Sequence, residues 1–217
     1  MMPIMVTIPP PDFEQLRAEI AAAAARMIAE DGADYGTAKR KAAQQILGNS
    51  RTRGDFMPDN SQIEEEVRLY NTLFFGDTQP ARLAHLRQIA VEMMTELEIF
   101  NPYLTGAVLN GTAGEHADIH LQLFVDSPKD VEIYLLNKNV QFDISESENF
   151  SRPAKRHHRS DYEPLETLSF LYKREGIHLA LYETDDLRGN IRSPSGKRTE
   201  RADLTAARLL LAEQEEH

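Results

Sequence analysis

The stretch Gly111–Phe124, GTAGEHADIHLQLF, decides the fold, because it holds a turn and then a strand whose two faces differ in chemistry. Period-two alternation sends Ile119, Leu121, Leu123 and Val125 to one face and Asp118, His120, Gln122 and Phe124 to the other. The first set reads as core. The second sets an acid and an imidazole side by side on a surface that a cleft could use.

Working outward, LTGAVLN (104–110) reads as a strand leading into the Gly111-Thr112 turn, SPKDVEIYLLNKN (127–139) as a short helix, and VQFDIS (140–145) as a further strand. There Asp143 lies on the face opposite Phe142 and Ile144, and if the strands adjoin it converges on Asp118. ETLSFLYKREG and IHLALYE form an antiparallel pair joined around Arg174 to Gly176, and RADLTAARLLLAEQEE is a closing amphipathic helix. Upstream the texture is helical. Asp12 can cap a helix through Glu30, a second runs from Thr37 to Leu47, and a third starts at Asn60 or Ser61 and ends at Gly76-Asp77. A fourth runs from Thr78 to Phe100 with Leu83, Leu86, Ile89, Met93, Met94 and Leu97 as a packed stripe. The expected class is α+β, with a helical bundle over residues 1–100 and a small mixed-sheet domain over 101–217.

Composition narrows the chemistry. With no cysteine among 217 residues, disulfides, thiolate metal sites and cysteine nucleophiles are excluded. A net charge of −11 argues against indiscriminate binding to polyanions, although Arg152–Tyr162 (RPAKRHHRSDY) and Lys39–Gly54 are local basic stretches. No apolar run is long enough for a membrane span, so a cytoplasmic chain is expected. Walker, GxSxG, HExxH and GxGxxG motifs are absent, and nucleophilic hydrolase chemistry has no sequence support.

The order of Gly111-Thr112, Gly114-Glu115, the strand DIHL and the later FDIS resembles the polymerase-beta-like nucleotidyltransferase superfamily. Its members carry a Gly-Ser turn, an Asp-hydrophobic-Asp strand and a third carboxylate on a later strand. The resemblance covers Leu104 to Ile144 and implies that Asp118 and Asp143 hold Mg²⁺ or Mn²⁺, with His120 standing where a second acid is usual. It further implies that Gly111 and Thr112 receive phosphate and that Lys155, Arg156 and Arg159 neutralise it. Hard divalent ions need oxygen ligands, and paired ions can activate a hydroxyl and stabilise departing pyrophosphate. The implied activity is transfer of a nucleoside monophosphate from a nucleoside triphosphate to a hydroxyl acceptor, RNA among the candidates. Imidazole suits transition metals better than Mg²⁺, so His120 favours the alternative, a catalytically lapsed nucleotide-binding or protein-interaction module. Plainer roles stay open for each residue: Asp118 and Gly111 can serve turns alone, Asp143 can be an exposed strand residue, and His178, whose alternation away from Ile177, Leu179 and Leu181 can turn it to the cleft of His120, is by default a polar residue on an outer sheet face.

Overall fold

A computed structural model describes residues 13–33, 35–48, 57–153, 162–189 and 200–215. The chain is α+β and separates into two compact units, Met1–Gly76 and Asp77–His217. The first is a bundle of α1 (Phe13–Asp31), α2 (Tyr35–Leu47) and α3 (Asn60–Phe74). Its core is built largely from small side chains, Ala21, Ala24 and Ala25 on α1 and Ala38, Ala42 and Ala43 on α2, closed by Ile20, Ile63 and Val67. Methyl-sized contacts let the helix backbones approach closely. The α3 cap is Asp59, one residue before the expected Asn60 or Ser61. Its carboxylate accepts from the Gln62 N–H at 3.0 Å while the Gln62 side chain accepts from the Asp59 N–H at 2.9 Å, a reciprocal capping box. The cap expected at Asp12 lies outside the described residues.

The second unit runs α4 (Gln79–Glu96), a 3-10 turn at Glu98–Phe100, β1 (Tyr103–Thr105), α5 (Gly106–Asn110), β2 (Ile119–Val125) and α6 (Pro128–Asn137). It continues with β3 (Asp143–Pro153), β4 (Tyr162–Tyr172), β5 (Glu175–Glu183), a 3-10 turn at Thr184–Arg188 and α7 (Leu204–Glu215). The sheet order is β1-β2-β5-β4-β3, with β2 and β5 parallel and every other pair antiparallel. Ile119, Leu121 and Leu123 of β2 and Ile177 and Leu179 of β5 share one core with Leu83, Leu86, Ile89, Met93 and Met94 of α4 and with Val131 and Leu135 of α6.

Three sequence expectations change. The division falls at Gly76/Asp77 rather than near Asn101, because the apolar stripe of α4 is the cover of the sheet, not part of the N-terminal bundle. LTGAVLN is not one strand: Gly106 turns the chain with φ 71° and the next residues wind into α5, which ends where Gly111 takes φ 83°. The FDIS strand does not adjoin β2. It forms the opposite edge, with β5 and β4 between.

Candidate functional site

Strand register builds one polar row across the sheet, on the face opposite the large core. Thr105 pairs with His120, His120 with His178, His178 with Ser169 and Ser169 with Asp143. Directly paired residues in a sheet share a face, so all five side chains emerge on the same side. Asp118, immediately before β2, joins them.

The centre of the row is a hydrogen-bonded chain. His178 Nε2 lies 3.1 Å from Asp118 Oδ2 and His178 Nδ1 lies 2.8 Å from Ser169 Oγ. One neutral tautomer satisfies both contacts, with Nε2–H donating to the carboxylate and Nδ1 accepting from the hydroxyl. The His120 and His178 rings stack at 4.7 Å between centroids with 15° between planes. Burial against the sheet, and then the neighbouring His178, push the His120 imidazole down to about 4, so it is neutral at pH 7 even though its outer edge is exposed. Gly176 makes the arrangement fit, since a Cβ there would lie 2.2 Å from Asp118 Oδ1.

A half-buried fork holds the start of β5 in place. Arg82 of α4 donates twice to Glu175 at 2.6 Å, and His85 Nε2 meets the same carboxylate at 3.1 Å. The guanidinium keeps the Glu175 carboxyl below the usual carboxylate range. With Glu175 fixed, Gly176 and His178 are fixed beside Asp118. Sequence reasoning missed this pair because its partners are far apart in the chain and belong to no local motif.

The implied phosphate turn is spent on its own structure. Thr112 is buried, its N–H donates to Ala107 O at 3.0 Å, and its hydroxyl bonds Asn110 Oδ1 at 2.7 Å. Gln79 donates to the carbonyls of Gly111 and Ala113 at 3.1 and 2.8 Å. Gly111 and Thr112 therefore serve the turn that ties α5 to α4 and have no donor directed at a ligand. Lys155, Arg156 and Arg159 lie outside the described residues; the strand ends on either side of them, Pro153 and Tyr162, pair at the far end of the β3–β4 ribbon from Asp143.

Asp143 shares the row but not the cluster. β5 and β4 lie between β2 and β3, and the Asp118 carboxylate reaches only to Gly176 and His178 of β5, so Asp118 and Asp143 are not brought together as neighbours. Both border an open groove of about 810 Å³, together with Phe142, Ser169, Gly176 and His178. Among the described residues no three His, Asp or Glu side chains are grouped to hold a metal ion. The order Ser169, His178, Asp118 is that of a nucleophile relay, but Ser169 sits in a strand paired on both sides. Its own backbone belongs to the ladder on both sides and offers the hydroxyl no oxyanion donor.

No protein-family model and no curated protein matches the chain. Among solved structures, a chain from the "structure of GLD-2/RNP-8 complex" is similar at 17% identity and a TM-score of 0.29, over 57% of this chain. The alignment spans 48% of that chain, about half its length.

Proposed function

We propose that the Asp77–His217 unit is a nucleotide-binding module of nucleotidyltransferase type that does not carry out two-metal nucleotidyl transfer. One observation carries this: the side chains that converge on Asp118 are the imidazoles of His120 and His178, while the second carboxylate, Asp143, stands at the far edge of the sheet. Two hard ions held side by side need several shared oxygen ligands. Asp118 alone can meet one Mg²⁺ or Mn²⁺ that a nucleoside triphosphate brings on its own phosphates. The neutral His120 ring adds a flat face and a ring nitrogen without charge, and the Ser169–His178 pair holds Asp118 at the rim of the groove. The resemblance in sequence over Leu104 to Ile144, from the Gly111-Thr112 turn through DIHL to FDIS, supports a nucleotide as the ligand class.

The test is thermal stability with ATP, CTP, GTP or UTP, each with and without Mg²⁺ or Mn²⁺, for wild type and Asp118→Asn, followed by a labelled-nucleotide transfer assay with RNA and other hydroxyl acceptors. A nucleotide-dependent and metal-dependent rise in melting temperature that Asp118→Asn removes, without label transfer, is expected. Transfer that depends on Asp118 would restore the enzyme, and no shift with any nucleotide would discard the module.

A further inference from the structure

We propose that the outer edge of β3, Asp143 to Ser147, docks an extended basic peptide, which adds to the sheet as a sixth strand. This inference does not rest on the nucleotide reading, although Asp143 also borders the groove beside Asp118. The two sheet edges are unlike. β1 is three residues long, and its outer side is bridged to Ala202. β3 is longer, its residues 143–148 are all exposed, and among the described residues it pairs only with β4. Its outer edge over 143–147 thus presents backbone donors and acceptors to any strand that approaches.

Charge selects the occupant. Glu146 stands directly opposite Glu166 of β4, a like-charge pair in a position that normally destabilises a sheet. Burial, and then the Glu132 carboxyl from α6, push Glu166 above its ordinary range, and its Oε1 is buried without a hydrogen-bond partner. Lys129 is the cation beside this group, at 3.3 Å from Glu132. Glu146 and Glu166 border, with Asp126, a small recess whose lining contains no basic side chain. A Lys or Arg on an added strand, level with Glu146, would reach that recess and relieve the repulsion. Two residues away on the same face Ile144 is 53% exposed, so the partner position facing it is apolar. The recognised pattern is apolar, any residue, basic, with small or polar residues between. A second copy of this chain is not the occupant proposed, because its edge would bring Asp143 and Glu146 rather than the basic side chain that the recess lacks.

The test uses the full chain and a fluorescein-labelled peptide, Thr-Val-Thr-Arg-Thr-Val-Thr-Arg, followed by fluorescence anisotropy. Two companion peptides are needed: one N-methylated at alternate residues, which keeps the charge but blocks strand pairing, and one with Glu for Arg. Saturable binding is expected for the first, weaker by about tenfold or more for both companions and for Glu146→Lys. If Glu146→Lys fails to fold by circular dichroism, Glu146→Gln is expected to weaken binding several-fold. Equal binding of the N-methylated peptide would reduce the effect to charge and overturn the docked strand. So would the lack of binding up to about 1 mM peptide, an unchanged affinity in the folded Glu146 variant, or a wild-type dimer that Glu146→Lys dissociates.

Discussion

At the scale of single residues, the site depends on a side chain that is missing. Because a Cβ on Gly176 would overlap the Asp118 carboxyl, Gly176→Ala must displace Asp118 from His178. Asp118 is about half exposed and can swing outward, so the cost in stability is expected to stay within about 1 kcal/mol. The nucleotide-dependent melting shift should nevertheless vanish, as in Asp118→Asn. His120 gives a pH signature. Its folded pKa, about 4, lies below its ordinary value of 6.5, so on acidification the unfolded chain takes the proton first. Its contribution to stability is therefore intact above pH 6.5 and is lost as pH falls towards 4. Discounted for the exposed edge of the ring, the loss is on the order of 1 kcal/mol. Comparing urea midpoints of wild type and His120→Gln between those pH values checks it, the variant being flatter. Glu166 has the opposite sign. Its raised pKa means that ionisation opposes folding, so Glu166→Gln is expected to stabilise by about 0.5 kcal/mol at pH 7 and to have no effect once the carboxyl is protonated.

At the scale of elements, turns and caps carry costs that the sequence partly shows. Lys173 and Arg174 form the two-residue link between β4 and β5 with φ of 51° and 74°, a geometry that twists with the strands but favours Asn-Gly over long side chains. Lys173 is tied to Glu92 at 2.5 Å, so Arg174 is the position free to change. Arg174→Gly is expected to raise stability by about 0.5–1 kcal/mol in chemical denaturation, since the left-handed conformation costs a residue with Cβ about 1–2 kcal/mol and glycine gives back part of that in entropy. In the N-terminal unit, Asp59→Ala removes half of the α3 capping box and should cost about 1 kcal/mol by the same measurement.

At the scale of the molecule, α4 assigns the cores. Residues 77–217 contain the sheet and the helix that supplies Leu83, Leu86, Ile89, Met93 and Met94 to it. A fragment beginning at Asp77 is expected to melt cooperatively. One beginning at Asn101 would leave the inner faces of β2 and β5 uncovered and should show no cooperative transition, because the lost cover includes five large apolar side chains worth about 1.5–3 kcal/mol each. Calorimetry of the two fragments distinguishes them.

Local chemistry wrote the elements themselves into the sequence: the two-residue period of Ile119 to Val125, the stripe along α4, the β4–β5 hairpin and the closing helix all follow from neighbours a few residues apart, although the hairpin link expected around Arg174 to Gly176 falls at Lys173-Arg174. The α+β class and the common face of Asp118 and His120 were legible for the same reason. His178 could be read from its alternation either as facing the cleft of His120 or, by default, as a polar residue on an outer face. Strand order cannot be read this way, because it is set by which apolar faces share a core and which edges remain. Only the tertiary structure put β5 beside β2, and so gave Asp118 a second imidazole, His178, as a neighbour and carried Asp143 to the edge. Apolar runs as short as LTGAVLN fit a strand or a helical turn equally, and the fold divides this one, with Leu104 and Thr105 in β1 and Gly106–Asn110 in α5. The Arg82–Glu175 fork is also a product of the fold, since a pair separated by most of a domain leaves no pattern in the chain, only a geometry once both ends are buried together.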